Sequence, residues 1–322
     1  MKCLITGAAG FIGSHLVEAC AEKNFEIKAF VHYNSKNSWG WLEDTGCMSD
    51  IEVVAGDIRD YDSVDSAMAG CQAVFHLAAL IGIPYSYASP LAYIRTNIEG
   101  TYNVLQSARE RNLENIVITS TTETYGTAQY VPMDEQHPLV GQSPYAATKI
   151  AADQLAQSYH KSFGLPVKII RPFNCYGPRQ SARAVIPTII TQLLNGEKVQ
   201  LGNLSPTRDF TYVKDTAAAF VEISGSSEMI GRVTNVGSSR EISIGELAAL
   251  IGRLTGIEVD IAADDQRVRP DASEVERLFC DHSYLLAKTA WRPNYDLEAG
   301  LTETIAWIRD NLSGYKLSQY NV

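Results

Sequence analysis

Cysteine is scarce in this chain, and none of it is spaced for metal binding. The 322 residues include 6 cysteines, and no two of them stand at C-x-x-C or zinc-like spacing. We therefore expect reduced thiols and no metal site. No apolar run is long enough to span a bilayer, and no signal-peptide pattern precedes the first apolar segment. These absences predict a cytoplasmic protein with no membrane partner.

Basic side chains are outnumbered as well. The chain has 27 lysines and arginines against 37 aspartates and glutamates, which gives a formal net charge of −10 at pH 7. This charge argues against nucleic acid or an anionic membrane as the main partner. An anionic ligand would need a local basic pocket, for which the candidates in the second half of the chain are Arg171, Arg179, Arg183, Arg208, Arg267 and Arg269.

The first residues combine a strand pattern, three glycines and a helical pattern. Apolar residues 2–6 run directly into Gly7, Gly10 and Gly13, and an amphipathic pattern follows over 11–23. Glycine allows the tight turn and the close backbone approach that a pyrophosphate needs, and the N-terminus of a helix attracts the anion. The spacing is G-x-x-G-x-x-G rather than G-x-G-x-x-G. In this context it predicts a dinucleotide site.

A tyrosine and a lysine stand four positions apart in the middle of the chain. Tyr145 and Lys149 would share one face of a helix, because four residues make about one helical turn. A nearby ammonium favours the phenolate, so we expect a lowered pKa for the tyrosine and removal of a proton from a substrate hydroxyl. An ordinary amphipathic helix could carry the same two residues, and the glycine turn is what favours catalysis.

The first half of the chain alternates between strand and helix patterns. This alternation predicts an α/β fold with a doubly wound parallel sheet, in which ligands bind beyond the carboxyl ends of the strands. The predicted strands are 2–6, 26–31, 51–55, 72–77, 115–119 and 166–171, and the predicted helices are 11–23, 60–69, 89–112 and 142–163. Turn signals become frequent in the second half, where helices are predicted at 184–194, 243–255 and 298–311.

A series of motifs along nearly the whole chain resembles the extended short-chain dehydrogenase/reductase family, the nucleotide-sugar epimerases and dehydratases. The motifs are Gly7-Ala-Ala-Gly10-Phe-Ile-Gly13, Gly56-Asp57-Ile58-Arg59-Asp60, His76-Leu77-Ala78-Ala79, Asn97-Ile-Glu-Gly100-Thr101, Tyr145 with Lys149, Arg171-Pro-Phe-Asn174-Cys-Tyr-Gly177-Pro178, Arg208-Asp-Phe-Thr-Tyr212-Val-Lys-Asp215 and Arg269-Pro270. The resemblance implies a Rossmann sheet in a dinucleotide-binding domain at 1–175, to which some later segments return. A smaller mixed α/β substrate-binding domain is implied mainly at 176–322.

The resemblance implies NAD or NADP as a cofactor that is tightly bound and recycled. Many NAD-binding members carry a carboxylate just after the second strand, but here the region reads Ala29-Phe-Val-His32-Tyr33-Asn34-Ser35-Lys36-Asn37. Its polar side chains could bind a ribose hydroxyl or a 2′-phosphate, so both cofactors stay open. The expected cofactor contacts are Gly7, Gly10, Phe11, Ile12, Gly13, Asn34, Ser35, Lys36, Asp57, Ile58, Leu77, Ala78, Ala79, Asn97, Tyr145 and Lys149.

By the same resemblance, the catalytic residues are Thr121, Thr122, Glu123, Tyr145 and Lys149. Oxidation at C4 of a sugar makes its C5 proton acidic, so a carboxylate such as Glu123 suffices as the base. Thr122 stands where many dehydratases have an aspartic acid, and a hydroxyl is a poor general acid. Either Glu123 or an ordered water would then protonate the leaving C6 hydroxyl, while Thr121 would donate a hydrogen bond to the C4 oxygen.

Further stretches resemble the N-acetylhexosamine 4,6-dehydratases of bacterial legionaminic acid biosynthesis. These stretches are residues 79–87, 125–132, 178–187 and 202–210. The resemblance implies UDP- or GDP-linked N-acetylglucosamine as the substrate and leaves the base of the nucleotide open. The expected substrate contacts are Pro84, Tyr85, Asn174, Arg183, Val185, Arg208 and Arg269, of which Arg208 and Arg269 suit the diphosphate.

Other activities stay open at this point. A 4-epimerase needs little beyond a tyrosine, a lysine and a serine or threonine, because the 4-ketone only rotates, and UDP-glucuronate decarboxylases carry a Thr-Ser-Glu segment similar to the one here. A sensor of cofactor redox state without catalysis is a third alternative, which the presence of Tyr145 and Lys149 opposes. The family resemblance also implies a homodimer that pairs through the helices at 89–112 and 142–163.

Overall fold

The computed structural model describes residues 1–268 and 270–316. Its strands are β1 (Lys2–Thr6), β2 (Glu26–His32), β3 (Ile51–Gly56), β4 (Ala73–His76), β5 (Asn115–Thr119), β6 (Val167–Pro172), β7 (Asn174–Tyr176), β8 (Val199–Leu201), β9 (Thr207–Arg208), β10 (Phe210–Tyr212), β11 (Val233–Val236), β12 (Ile242–Ser243) and β13 (Ile261–Ala263). Its helices are α1 (Phe11–Glu22), α2 (Tyr61–Met68), α3 (Ile83–Ala88), α4 (Pro90–Tyr93), α5 (Gly100–Glu110), α6 (Pro144–Phe163), α7 (Val185–Leu194), α8 (Val213–Gly225), α9 (Ile244–Thr255), α10 (Ser283–Lys288) and α11 (Leu297–Asp310). A π-helical segment, Ile94–Glu99, joins α4 to α5, and a 3-10 turn at Thr122–Thr124 follows β5.

Seven of these strands form one sheet in the order β3-β2-β1-β4-β5-β6-β11. Every neighbouring pair in the sheet runs parallel. The strand order reverses between β1 and β4, so the chain leaves these two neighbours in opposite directions along the sheet. A crevice opens at their carboxyl ends, which is where open α/β sheets bind ligands.

An apolar layer covers each face of the sheet. Alternate side chains of a strand point to opposite faces, so Cys3 and Ile5 join the layer under α1 and α8, whereas Leu4 joins the layer under α2, α5 and α6. All three side chains are fully buried. Burial on both faces explains why the strands have nearly continuous apolar sequences.

A third apolar cluster lies outside the sheet and is built from α7, α9 and α11. Ile186 and Ile190 of α7 pack with Leu247 and Ile251 of α9 and with Leu301 of α11. Around this cluster lie three two-stranded sheets, which pair β7 with β10, β8 with β13 and, antiparallel, β9 with β12. The later part of the chain therefore has its own core of mixed helices and short strands.

The structure confirms the predicted α/β fold with a doubly wound parallel sheet. Each predicted strand and helix is present, although the predicted helix at 89–112 is divided into α4, the π-helical segment and α5. The sequence did not predict α3, α8, α10, β11 or the short strands β7, β8, β9, β10, β12 and β13. Of these, β11 pairs with β6 at the sheet edge, α8 packs against α1, and α10 packs against β11.

The described residues show neither a membrane span nor a metal-binding group. No helix among them is both long and apolar enough to cross a bilayer. In the same part of the chain, no three His, Cys, Asp or Glu side chains gather in a way that could hold a metal ion.

Gly164 offers a direct test of backbone strain at the end of α6. It has a φ of +71°, and a Cβ built there would meet no atom within 4 Å. Gly164→Ala should therefore lower the free energy of unfolding by about 1 kcal/mol, through the left-handed backbone alone. The measurement is urea unfolding followed by circular dichroism.

The matched control for this variant is Gly225→Ala. Gly225 is the last residue of α8, and its Cβ would also meet nothing within 4 Å, but its φ is not in the left-handed region. This change should leave the free energy of unfolding unchanged or raise it slightly. Equal losses in the two variants would contradict the assignment of the cost at Gly164 to its φ.

Candidate active site

The glycine-rich turn lies between β1 and α1, at the crevice of the sheet. Gly7 has a φ of +72°, and a Cβ there would lie 2.8 Å from the amide nitrogen of Ala78. A Cβ at Gly13 would lie 2.1 Å from the carbonyl oxygen of Gly7, so only glycine fits either position. Gly10 is the N-cap of α1 and has no side chain to bond the first amides. The first-turn N–H groups of Phe11, Ile12 and Gly13 are therefore not capped by a side chain and can face an anion.

Thr6 and His76, at the ends of β1 and β4, fix the chain next to this turn. Thr6 Oγ1 accepts hydrogen bonds from the amides of Leu77 (3.1 Å) and Ala78 (3.2 Å) and lies 2.8 Å from His76 Nδ1. His76 Nε2 lies 3.1 Å from the hydroxyl of Thr101, which donates its own proton to a backbone carbonyl. His76 therefore donates at Nε2 and accepts at Nδ1. Burial lowers the pKa of this neutral imidazole to about 3.

Asn97 is buried and bonded within the protein, and its role as a cofactor contact stays a prediction. The residue is 1% exposed. Its Nδ2 donates to the carbonyl of Leu80 (3.0 Å) and to the hydroxyl of Thr148 (3.0 Å), while its Oδ1 accepts from the amide of Leu80 (2.9 Å). Because both polar atoms are bonded within the protein, Asn97 ties the chain after β4 to α6.

The three predicted cofactor residues in the loop after β2 differ in their hydrogen bonding. Asn34 Oδ1 accepts hydrogen bonds from the amides of Lys36 (3.1 Å) and Ser38 (3.3 Å), and its Nδ2 donates to the carbonyl of Ser38 (2.7 Å). Asn34 thus closes its own loop through a turn that the sequence pattern did not reveal, and because it is exposed it stays a predicted cofactor contact. Ser35 and Lys36 are exposed, so these two side chains can meet a ligand.

Asp57 and Ile58 follow β3 at the same edge of the sheet. Arg59 donates to the Asp57 carboxylate from its backbone amide (2.9 Å) and from Nε (2.9 Å). The hydrogen bond from the Arg59 side chain lowers the pKa of Asp57 to about 2. Ile58 is 7% exposed, and its carbonyl accepts a hydrogen bond from Asn103 Nδ2 at 3.0 Å. Asp57 is therefore held in place from one side, and Ile58 offers an apolar surface.

Helix α6 carries Tyr145 and Lys149 to the crevice. It begins where its sequence indicates, because Ser143 caps the amide of Ala146 at 3.1 Å and Pro144 occupies the first turn. Tyr145 is 7% exposed and Lys149 is 5% exposed. The two side chains lie one turn apart and are both largely removed from water.

The protonation of this pair differs from the expectation. Burial raises the pKa of Tyr145 above its ordinary value, and a hydrogen bond with Thr121 only partly opposes the rise. Burial also lowers the pKa of Lys149. The ammonium of Lys149 donates to the carbonyl of Thr119 at 2.6 Å. The lowered tyrosine pKa that the spacing predicts is therefore outweighed by desolvation in this structure.

The turn after β5 carries the other candidate catalytic residues. Thr121 caps this turn by accepting the amide of Glu123 at Oγ1 (3.3 Å). Thr122 is 3% exposed, whereas Glu123 is half-buried. The charge of Glu123 raises the pKa of Tyr145, so the carboxylate and the phenol act on each other. Thr121, Glu123 and Tyr145 are brought together, while Thr122 is buried behind them.

Two further aromatic side chains, Tyr93 and then Tyr85, pack in a row that begins at Tyr145. The ring of Tyr93 meets Tyr145 edge-on, with centroids 6.2 Å apart, and meets Tyr85 at 6.1 Å. Tyr93 donates its hydroxyl to the carbonyl of Gly82. Arg183 reaches the same loop, since a Cβ at Gly82 would lie 3.9 Å from its Nη1. Tyr93, which lies four residues before Asn97, was not identified from the sequence.

The remaining predicted substrate residues lie on separate elements. Pro84 is in the first turn of α3, and Val185 begins α7. Asn174 begins β7, and its Oδ1 is buried without a hydrogen-bond partner in the described part of the chain. A ligand donor could satisfy this oxygen, because buried polar atoms are nearly always bonded. Arg269 lies outside the described residues.

The predicted basic pocket is smaller than the sequence suggested. Arg171 is 2% exposed and pairs with Asp153 at 2.8 Å, and Arg179 is 8% exposed and pairs with Glu18 at 2.7 Å. Both of these candidate pocket residues are therefore already paired with a carboxylate of the protein. The sequence shows that both residues are charged, but it does not show that their partners are Asp153 and Glu18.

Arg208, a predicted diphosphate contact, is buried next to a carboxylate. It is 7% exposed and donates to the carbonyl of Thr207 at 2.9 Å and to Oε1 of Glu274 at 3.1 Å. Glu274 thus lies where an anionic group would meet this guanidinium. The sequence gave no sign of this carboxylate, because its distance along the chain from Arg208 carries no local pattern.

A cavity of about 480 Å³ opens at the opposite edge of the sheet. It is lined by residues that include Met1, Asn115, Ser224 and Thr289. Asn115 begins β5, whereas Thr121 and Glu123 follow its end. None of the candidate catalytic, cofactor or substrate residues that the structure describes lines this cavity, so it is separate from the site at the carboxyl edge.

Comparison with known proteins agrees with this arrangement. A family model described as GDP-mannose 4,6 dehydratase matches residues 4–304. A dTDP-glucose 4,6-dehydratase of Streptomyces antibioticus is 33% identical over 316 residues, which cover 97% of this chain and 93% of that protein. The chain therefore belongs to the GDP-mannose 4,6-dehydratase family, an enzyme family of nucleotide-sugar dehydratases and their relatives.

Two solved structures are closely similar in fold. The dTDP-glucose 4,6-dehydratase of Streptomyces venezuelae, solved with NAD bound, has a TM-score of 0.89 and 28% identity, covering 98% of this chain and 99% of its own. A UDP-N-acetylglucosamine 4-epimerase from Methanobrevibacter ruminantium M1 has a TM-score of 0.86 and 30% identity, with coverage of 96% and 98%. Since a dehydratase and an epimerase match almost equally well, overall similarity does not select the reaction.

Proposed function

We propose that this member of the family is a nucleotide-sugar 4,6-dehydratase that acts on UDP- or GDP-linked N-acetylglucosamine. The observation that carries the proposal is the half-buried Glu123 on the turn Thr122–Thr124, which packs against α6, the helix that carries Tyr145. A 4-epimerase has no need of a base at this point, because its ketone only rotates. Elimination of water requires a group that removes the C5 proton, and Glu123 is suited to that task.

NAD or NADP is the proposed cofactor, tightly bound and recycled. The glycine turn fits it, because Gly7 and Gly13 leave the backbone open to close approach and the first turn of α1 has no side-chain cap. Ser35 and Lys36 suit either a ribose hydroxyl or a 2′-phosphate, and the NAD in the Streptomyces venezuelae relative supports the former. The bound nicotinamide would supply redox chemistry, as hydride acceptor from C4 and donor to C6, with no net consumption.

Tyr145 is the proposed base for the C4 hydroxyl. Burial raises the pKa of Tyr145, so its phenolate needs a positive charge nearby. Lys149 supplies this charge from one turn along α6. Thr121, which caps the turn that packs against α6, donates to the developing C4 oxygen. The oxidation at C4 then makes the C5 proton acidic.

Glu123 is the proposed base for the C5 proton. The carboxylate takes this proton as the C6 hydroxyl departs as water, and the leaving oxygen needs a proton of its own. Thr122 is 3% exposed and carries a poorly acidic hydroxyl, which favours Glu123 as the donor, directly or through an ordered water. Glu123 then takes a proton from solvent and delivers it to C5. The product is a 4-keto-6-deoxy sugar.

The diphosphate is proposed to lie against Arg208, with Arg269 as a second contact. A guanidinium matches phosphate oxygens in a bidentate manner, and the substrate would compete with Glu274 for it at 3.1 Å. The unbonded Oδ1 of Asn174 suits a sugar hydroxyl. Arg183 and Tyr85, at the loop beside Tyr145, suit the remaining face of the sugar.

The subunit organisation is also a proposal. A dinucleotide-binding domain at 1–175, with later segments returning to it, and a substrate-binding domain at 176–322 are consistent with the separate apolar clusters. A homodimer through α5 and α6 is supported by exposed apolar side chains on these helices, Tyr102 at 44% and Phe163 at 48%. Light scattering that finds only monomer at micromolar concentration would oppose the dimer.

Incubation with the two nucleotide sugars in deuterated water tests the function. The purified protein should convert UDP- or GDP-N-acetylglucosamine into a product that has lost one water and carries deuterium at C5, and mass spectrometry reads both changes. The sugar that is consumed identifies the nucleotide. An unchanged mass would reject dehydration, and inversion at C4 would then favour the 4-epimerase, whereas carbon dioxide release from a uronate would favour the decarboxylase.

Glu123→Gln should separate the oxidation at C4 from the elimination of water. The variant should still bind nucleotide and reduce the cofactor when substrate is added, because Tyr145 and Lys149 are intact. Dehydration should fall at least about 100-fold, since an amide cannot accept the C5 proton. Cofactor absorbance measures the first step, and mass spectrometry measures the second.

The matched control is Glu114→Gln. Glu114 is exposed and precedes β5, so it carries the same change at the opposite end of the strand that leads to Glu123. This control should keep wild-type dehydration. Full activity in Glu123→Gln would refute the assignment of the base.

A further inference from the structure

A buried ion pair lies directly behind the candidate catalytic residues. Asp153 is fully buried and follows Lys149 by one turn of α6. Its Oδ2 accepts hydrogen bonds from Ser120 Oγ (2.6 Å), Arg171 Nη2 (2.8 Å) and Arg171 Nε (3.2 Å). The guanidinium of Arg171 stacks over the ring of Tyr125, 4.7 Å from its centroid. The roles proposed above use none of these side chains.

This carboxylate joins three elements of the site. Asp153 is on α6, Arg171 is on β6, and Ser120 lies between the end of β5 and the turn that begins at Thr121. Asp153 Oδ2 accepts hydrogen bonds from Arg171 on β6 and from Ser120 after β5. These bonds fix the position of α6 relative to Thr121. Tyr145, on the same helix, is thereby held against the Thr121 hydroxyl.

Two buried cations, Arg171 and Lys149, lie on either side of one buried carboxylate: Arg171 is paired with Asp153, and Lys149 precedes Asp153 by one turn of α6. Lys149 is 5% exposed, Arg171 is 2% exposed and Asp153 is 0% exposed. Asp153 Oδ1 has no hydrogen-bond partner among the described residues, so the pairing with Arg171 uses only half of the carboxylate. Burial lowers the pKa of Lys149, and the charge of Asp153 opposes this lowering. The guanidinium of Arg171 could only repel the ammonium.

The other ionisable groups that face the pair do not replace Asp153. His76 on β4 is neutral, because burial lowers its pKa to about 3. Tyr93 on α4 is neutral as well, because burial raises its pKa. Glu123, on the turn after β5, acts on Tyr145. Asp153 is therefore the carboxylate whose charge supports Lys149.

We propose that Asp153 is a positioning residue for Tyr145 and Lys149: anchored by Arg171 and Ser120, it keeps Lys149 an ammonium ion and holds Thr121 against Tyr145. Its effect on turnover depends on the proposed function. The charge of Lys149, in contrast, can be measured in the protein alone.

Asp153→Asn tests the charge with little change of shape, because the amide oxygen can still accept from Ser120. The pKa of Lys149 is followed by NMR of protein labelled with carbon-13 at the lysine Cε, and Lys149→Met assigns the resonance. The pKa should fall by about 1 unit or more in the variant. An unchanged pKa of Lys149 would overturn the proposal.

Asp65→Asn is the matched control. Asp65 accepts hydrogen bonds from Ser107 Oγ (2.8 Å) and from Arg111 Nε (2.6 Å), so it has the same kinds of partner away from the site, between α2 and α5. This variant should leave the pKa of Lys149 at its wild-type value. A fall equal to that of Asp153→Asn would mean a general effect of lost charge and would overturn the proposal.

A double variant covers the case in which Asp153→Asn does not fold. Asp153→Asn with Arg171→Met removes both charges, so no lone guanidinium stays buried. The pKa of Lys149 should then lie below the wild-type value, because the charge of Asp153 is lost. A wild-type pKa in the double variant would overturn the proposal.

The kinetic readout is the pH dependence of dehydration, followed as the product that has lost one water. Lys149 must be charged, so a lower pKa moves the alkaline limb of kcat to lower pH in Asp153→Asn, with KM little changed. A role limited to stability would lower the active fraction and leave the limb in place, which would overturn the link to turnover. If wild-type protein dehydrates neither sugar, the proposed function fails while the NMR titration still decides the role of Asp153.

Discussion

The parallel order of the sheet is the constraint on which the rest of this structure depends. Parallel strands bring all their carboxyl ends to one edge, and the reversal between β1 and β4 opens a crevice there. The glycine turn, the segment after His76 and the turn at Thr121 are far apart in the sequence, but each follows a strand of this sheet. Residues from distant parts of the chain therefore meet without long loops.

Burial sets the electrostatics of the site that results. Desolvation disfavours charge on the phenol of Tyr145, on Lys149 and on His76 alike. Proton transfer in such a place requires charges that the protein itself supplies at fixed positions. Glu123 on one side of Tyr145 and Asp153 behind Lys149 are two carboxylates with different environments, one half-buried and one fully buried. Different tasks for the two carboxylates follow from that difference.

Features that depend on local pattern, such as strands and helix caps, were predicted from the sequence. Features that depend on hydrogen-bond partners elsewhere in the chain were missed. Apolar runs located the six strands from β1 to β6, and Ser143, Pro144 and Gly164 mark the ends of α6 because caps are local. Strand β11 has polar Thr234 and Asn235 at its centre, so it lacks the apolar run that located the equally short β4. Asn34, Asn97 and Arg171 form hydrogen bonds with their own loop, with Leu80 and with Asp153 of α6, and motif position does not predict these partners. The spacing from Lys149 to Asp153 was visible, but only the structure shows that Arg171 and Ser120 converge on the carboxylate.

Substrate that carries deuterium at C4, incubated in ordinary water, tests the central claim most directly. The account predicts a product one water lighter than the substrate, with the deuterium moved to C6, because the hydride is held within the site between its removal and its return. Deuterium that stays at C4 with inversion of that centre would contradict dehydration. Loss of the deuterium to water would contradict an enclosed hydride transfer at this edge of the sheet.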